Sequence, residues 1–299
     1  MRLISASRRT DIPAFYAGWF MERVRRGTAS WVNPYSGTVA TVSLEPSETA
    51  AIVFWTRNFA PLLKHLPELE DRGHRFLVHF TLTGLPRRYE THVPPVRAAA
   101  RQMHALAGRI GPDRILWRYD PILVTEETGR KFHLENFARL ARSLEGATRR
   151  CTVSFAQIYG KLRRSFTRYG LPLPAMEAGE RRSLAGELAG IAAERGIAMK
   201  ACCNDDLLQA RVTKARCIDA EEIASLWPEL RFAAAAGPTR EQCGCSRSCD
   251  IGAYDSCLHG CVYCYATKDR ETAGSRRRRH DPRGSVLIPP PAPENSEEA

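Results

Sequence analysis

Over its first 235 residues this chain alternates short apolar runs with longer segments of helical periodicity, and that alternation is its strongest structural constraint. Leu3-Ile4-Ser5-Ala6-Ser7 reads as a first strand, followed by a helix over 13–26 that accepts Pro13 in its first turn. Further strands are expected at Ala51–Trp55, Phe76–Leu82, Arg114–Arg118, Arg150–Phe155 and Ala198–Ala201. Helices are expected between them, over Phe59–Leu69 and near 95–108, 133–143 and 176–194. A strand that repeatedly returns through a helix builds a parallel sheet with helices outside. About six such strands suit either a partial (β/α) barrel or an open sheet.

The polar groups at the strand ends favour the barrel. Asp11 follows the first strand, Thr56 and Arg57 the second, Arg118-Tyr119-Asp120 the fourth, Ser154 and Gln157 the fifth, and Cys202 and Asn204 the sixth. In a parallel barrel these ends converge on one catalytic face; in an open sheet they line a crevice. Any one of them could simply cap a helix or close a turn. Arg118 is suited to a two-pronged grip on carboxylate or phosphate, and Asp120 to a ribose hydroxyl pair. A buried structural Arg–Asp pair is the alternative. Arg8, Arg9 and Asp11 form a similar set, and Ser154 and Gln157 are further candidates for cofactor contact. Trp55 and Trp117 read as packing rather than as substrate platforms.

The ten cysteines are distributed unevenly: Cys151 alone falls in the first 200 residues, and six lie between 243 and 264. No stretch is apolar and long enough to span a bilayer, and Arg8, Arg9 and Asp11 interrupt any basic-then-apolar leader. A cytoplasmic location is therefore expected, where cysteines serve metals or catalysis rather than disulfides. Cys257-x3-Cys261-x2-Cys264 places three thiols within one loop. Zinc would require a fourth protein ligand, whereas a cubane cluster can leave one iron open. Gly260 relieves crowding where the chain bends, and Tyr263 and Tyr265 would shield the site.

The string Cys257-Leu-His-Gly-Cys261-Val-Tyr263-Cys264-Tyr265-Ala266 resembles the cluster motif of the radical S-adenosylmethionine superfamily, especially members related to spore photoproduct lyase. That resemblance implies a [4Fe-4S] cluster on the three cysteines, S-adenosylmethionine on the remaining iron, and Tyr263 as the family's usual aromatic. It also implies a reductant protein such as flavodoxin or ferredoxin. In the superfamily the motif follows the first barrel strand; here it lies beyond the proposed barrel. The whole chain resembles the DUF1848 family, through Ser7-Arg8-Arg9-Thr10-Asp11-Ile12-Pro13 at the front and Asp250-Ile-Gly-x-Tyr254-x-x-Cys257 at the back. The arrangement looks like a rearranged or circularly permuted radical enzyme, with a partial or rearranged (β/α) TIM-like barrel. Resemblance to the same family also supports a second site, in which Cys243 and Cys245 meet Cys217 and one of Cys202 or Cys203. Four thiolates there would hold zinc or a second [4Fe-4S] cluster. The other member of the adjacent pair must do something else, and a buried small apolar residue is the alternative role for either.

The expected organisation is a barrel-like domain over 1–235, a cysteine-rich cluster segment over 236–270, and a basic then Pro-rich tail over 271–299 without fixed structure. The net charge of +11 suits a small anionic substrate or a nucleic-acid base, though no nucleic-acid-binding module is recognisable. Two other classes remain open: an iron–sulfur redox carrier or sensor without radical chemistry, and a nucleic-acid-binding protein with structural metals.

Overall fold

The computed structural model describes residues 1–290. Its strands are β1 (Arg2–Ala6), β2 (Thr28–Val32), β3 (Val39–Ser43), β4 (Thr49–Thr56), β5 (Phe76–Thr81), β6 (Ile115–Ile122), β7 (Arg150–Phe155), β8 (Ala198–Ala201), β9 (Val212–Lys214) and β10 (Cys249–Asp250). The helices that alternate with them are α1 (Ile12–Phe15), α2 (Ala17–Arg25), α3 (Ala60–Leu63), α4 (Leu66–Asp71), α5 (Val96–Ile110), α6 (Arg130–Ser143), α7 (Gly160–Arg168), α8 (Ala178–Ala193), α9 (Ala220–Leu226) and α10 (Arg270–Arg278). The helix expected over 13–26 breaks at Tyr16, and the one over 59–69 breaks around Lys64 and His65.

Eight strands make one sheet in the order β10-β1-β4-β5-β6-β7-β8-β9, and every pairing within it is parallel. β2 and β3 form a separate antiparallel hairpin. Alternation along each strand sends Ile52, Phe54, Val78, Trp117 and Val153 to one face, under the helices α2, α5, α6 and α8. The opposite face carries Leu3, Ala51, Val53, Leu77 and Leu116, and these pack against Ile218, Ile223 and Leu230. The parallel α/β arrangement is as expected, and among the described residues the sheet stays open rather than forming a closed barrel, with β10 and β9 as its two edges. A closed barrel fills its interior with strand side chains; here α9 and its flanks occupy that face instead.

The tail expectation is corrected. Arg276–Arg279 lie in and directly after α10, whose N-cap Asp269 accepts from the Thr272 amide. The chain then returns under α2, where Trp19 Nε1 donates to the Gly284 carbonyl at 2.9 Å and Arg23 to that of Arg283 at 3.0 Å. Leu287 and Ile288 are buried in the main core. Only the part of the expected tail beyond residue 290 lies outside the described residues. No helix among them is long and apolar enough to cross a membrane.

Removing residues 280–299 strips two buried aliphatic side chains and the partner of the Trp19 indole. With each side chain worth about 2 kcal/mol and the hydrogen bond about 1, the expected loss is about 5 kcal/mol, readable as a lowered urea midpoint.

Candidate functional site

Parallel strands all point their carboxyl ends the same way, so the residues that follow them gather at one edge. The last-made strand joins that edge too. β10 pairs beside β1, with Ile4 opposite Cys249 and Ser5 opposite Asp250. Asp250 secures this two-residue strand through hydrogen bonds from Ser5 Oγ (2.8 Å), Ser7 Oγ (2.6 Å) and the Arg8 amide (2.8 Å). Gly252 is required just beyond, because a Cβ there would fall 2.1 Å from Ser7 Oγ. Arg9 stays by Asp250 (3.9 Å) and stacks its guanidinium 5.1 Å from the Tyr254 ring centre.

From β10 the chain runs directly into the loop of Cys257, Cys261 and Cys264. All three thiols line one small, partly open cleft of about 30 Å³, shared with Gly260, Lys268 and Arg270. His259 is buried and hydrogen-bonds through Nε2 to Asp11 at 2.7 Å. Asp11 also accepts from Thr56 Oγ1 (2.8 Å), the Arg57 amide (2.7 Å) and the Ala14 amide (2.9 Å). Both its oxygens are engaged, so it ties the cysteine loop to the ends of β1 and β4. Tyr263 is fixed in a second bracket, where its hydroxyl meets Arg57 Nη2 (2.5 Å) and Glu90. Glu90 is buried and pairs with Arg57 at 2.9 Å. α7 closes the far side: Ser165 Oγ donates to the Val262 carbonyl (2.6 Å) and Lys161 Nζ to that of Tyr265 (2.8 Å). Val262 packs on Leu162 and Phe166.

Burial pushes the Cys257 thiol well up and lifts Cys261 to about 12, even with the Arg57 cation nearby. Burial also opposes the charge of Arg57, yet Glu90 and the surrounding acidic groups raise its pKa well above the usual range. Burial thus favours the neutral form of Cys257 and Cys261, while the cation beside Cys261 favours its ionised, metal-bound form.

A second polar group occupies the inner face, where Arg118, Asp120 and Ser154 do come together. Arg118 and Ser154 both bond to Asp120. Arg118 lies 5.0 Å from the Trp55 ring centre and Arg8 lies 5.2 Å from it, while Trp55 stacks on His79 at 4.3 Å. Trp117, by contrast, is wholly buried in the core as expected. Gln157 is exposed, on the segment leading to α7, apart from this group. The Arg8 Nη2 and Trp55 Nε1 atoms are buried donors without a protein partner.

The remaining cysteines gather beside that group. Cys202, Cys203, Cys217 and Cys245 share one buried cluster with Cys243 against it. Both members of the adjacent pair pack in it. Cys203 has φ +51°, and this left-handed residue turns its thiol to the same side as that of Cys202. Cys249 stands apart in β10. Among the described residues no group of three or more histidine, cysteine or carboxylate side chains is already set to hold a metal ion; convergence of thiols is what the geometry provides.

Sequence reasoning passed over Glu90 and Arg240. Glu90 sits in the loop after β5, with no spacing signal to mark it. Arg240 lies just upstream of the cysteine run and reaches back to Cys202.

A parallel α/β sheet with a thiol-lined cleft at its carboxyl edge defines the general class. The family described as a domain of unknown function, DUF1848, matches residues 3–266, and the chain belongs to that family. No curated protein matches it. Similar solved structures include two of the pneumococcal exo-β-D-N-acetylglucosaminidase StrH, one reported for N-glycan recognition and hydrolysis and one for its tandem GH20 modules. They are 11% and 12% identical, each with a TM-score of 0.28 and coverage of 75% of this chain and 62% of theirs. A third is the carboxyl transferase domain of Rhizobium etli pyruvate carboxylase, 15% identical, with a TM-score of 0.22 and coverage of 67% and 39%. The chain therefore spans less than two thirds of each, and likenesses at these scores carry no argument.

Asp11→Ala leaves three buried donors and His259 without their acceptor. The expected cost is about 3 kcal/mol or more, with faster proteolysis inside residues 255–268 than in the parent protein.

Proposed function

We propose that this protein is a radical S-adenosylmethionine enzyme acting on an anionic small molecule. The observation that carries the reading is the position of β10. Although it comes last in the chain, it stands first in the sheet, so the cysteine loop follows the first strand in space. The superfamily resembled by the Cys257–Ala266 string has its motif after the first strand in sequence. A permuted chain accounts for both facts.

The donor set fits a [4Fe-4S] cluster: three thiols, Cys257, Cys261 and Cys264, line one cleft, and no fourth cysteine stands in their loop. When bound, the cluster and S-adenosylmethionine supply one-electron cleavage of the sulfonium, releasing a 5'-deoxyadenosyl radical. The chain's own residues hold and screen. Asp11 and His259 fix the loop against β1 and β4, and Arg57 keeps positive charge beside the thiolates. Tyr263, pinned between Arg57 and Glu90, keeps an aromatic ring next to the last thiol. Arg8 and Arg118, both stacked on Trp55, favour an anionic group at the inner face. Small anions fit this better than a duplex, since the arginines sit inside the sheet's mouth rather than along an exposed stripe.

Anaerobic reconstitution with iron and sulfide, then reduction with S-adenosylmethionine present, should yield 5'-deoxyadenosine. Cys261→Ala should abolish it. Failure to cleave, together with an electron paramagnetic spectrum indifferent to the added cofactor, would sink the reading.

A further inference from the structure

We infer that Cys202, Cys217, Cys243 and Cys245 form a second, thiolate-only metal centre at the carboxyl end of β8, holding zinc or an iron–sulfur cluster. Three distant segments deliver these thiols to one place. Cys202 follows β8, Cys217 precedes α9, and the segment of Cys243 and Cys245 is fastened across by the Ser246 amide, which donates to the Ile218 carbonyl at 2.8 Å. The Sγ atoms of Cys202 and Cys217 are 3.3 Å apart and those of Cys202 and Cys203 3.8 Å apart. A disulfide requires about 2.05 Å. Thiolates around one zinc at about 2.3 Å stand roughly 3.8 Å from one another, so the Cys202–Cys217 pair, at 3.3 Å, stands close to the separation a zinc site uses.

Buried cysteines often serve as small apolar residues, and the charges around this cluster argue against that role here. Arg118 Nη1 donates to Cys217 Sγ at 3.1 Å, and Arg240 Nη2 approaches Cys202 Sγ at 3.7 Å. Arg118 is buried and has one carboxylate partner, Asp120. A guanidinium aimed at a neutral thiol gains little for its desolvation. Aimed at thiolates it gains much more, and four thiolates on a dication leave about two negative charges for the arginines to balance. Cys203 adopts an unusual conformation beside them, with φ +51°. A non-glycine residue in the left-handed region costs about 1 kcal/mol, and along a strand adjacent side chains would point oppositely. The turn brings a fifth thiol beside the four, as a neighbour rather than a required ligand.

The test uses the full chain carrying Cys257→Ala, Cys261→Ala and Cys264→Ala, which empties the first site and makes the readout independent of S-adenosylmethionine chemistry. After growth with zinc, or anaerobic reconstitution with iron and sulfide, plasma emission should find about one zinc or about four irons per chain. Sulfide content and visible absorption separate the two. Adding Cys217→Ala and Cys245→Ala should remove that metal, and adding Cys203→Ala alone should leave it. A triple variant that is folded by circular dichroism yet holds neither metal in stoichiometric amount overturns the inference. So does mass spectrometry showing two of these thiols joined as a disulfide.

Discussion

The grip of Asp250 on the first strand is the constraint from which the rest follows. A strand of two residues has too little ladder to hold itself in a sheet, and parallel pairing is the weaker kind. Asp250 compensates by accepting from Ser5, Ser7 and the Arg8 amide, all desolvated by the pairing they secure. Everything downstream inherits its position from this contact. The cysteine loop begins seven residues later and is refastened by His259 on Asp11. The two strings that mark the chain at its opposite ends, Ser7–Pro13 and Asp250–Cys257, are therefore two halves of one joint.

The two thiol sites differ in the way the fold supports them. The Cys257 loop is local in sequence and is braced from outside by α7, Asp11 and the Arg57–Glu90–Tyr263 bracket. Its thiols face an open cleft. The other five thiols come from three segments and are packed inward, with guanidinium groups in place of open space. An open cleft suits a centre that must meet a small molecule, and an enclosed, cation-lined one suits a centre that stays fully liganded. The inner-face group of Arg8, Trp55, Arg118 and Asp120 lies beside the second of these, and Arg8 is also tied to the cysteine loop, since its carbonyl accepts from the Tyr265 hydroxyl.

Much of this was legible in the residues. The six strands read from apolar runs are all present, because most of them bury both faces and so carry a continuous apolar signal. β9 and β10 were not legible: two or three residues hold no periodicity, and it is these that extend the sheet to eight strands. The hairpin of β2 and β3 was missed for a related reason, since Thr28–Ser43 is half exposed and mixed in character. The arginine run of α10 hid a helix that buries little beyond Ala273, although Asp269 three residues before Thr272 was a capping signal in plain view. The convergence of the upstream cysteines was anticipated from the family resemblance. That Cys202 and Cys203 both pack there was not legible, because it depends on one backbone angle.

The place of β10 in the sheet also has a consequence for how the protein comes into being. Synthesis runs from the N-terminus, and domains tend to assemble as they emerge. β1 is made first, yet its outer edge stays uncovered until residue 250 has left the ribosome, and an uncovered parallel edge is open to wrong partners. The thiols of the cluster loop arrive later still. The strand that completes the sheet is thus also the one that delivers the metal ligands, and neither event can precede the other by more than a few residues of growth.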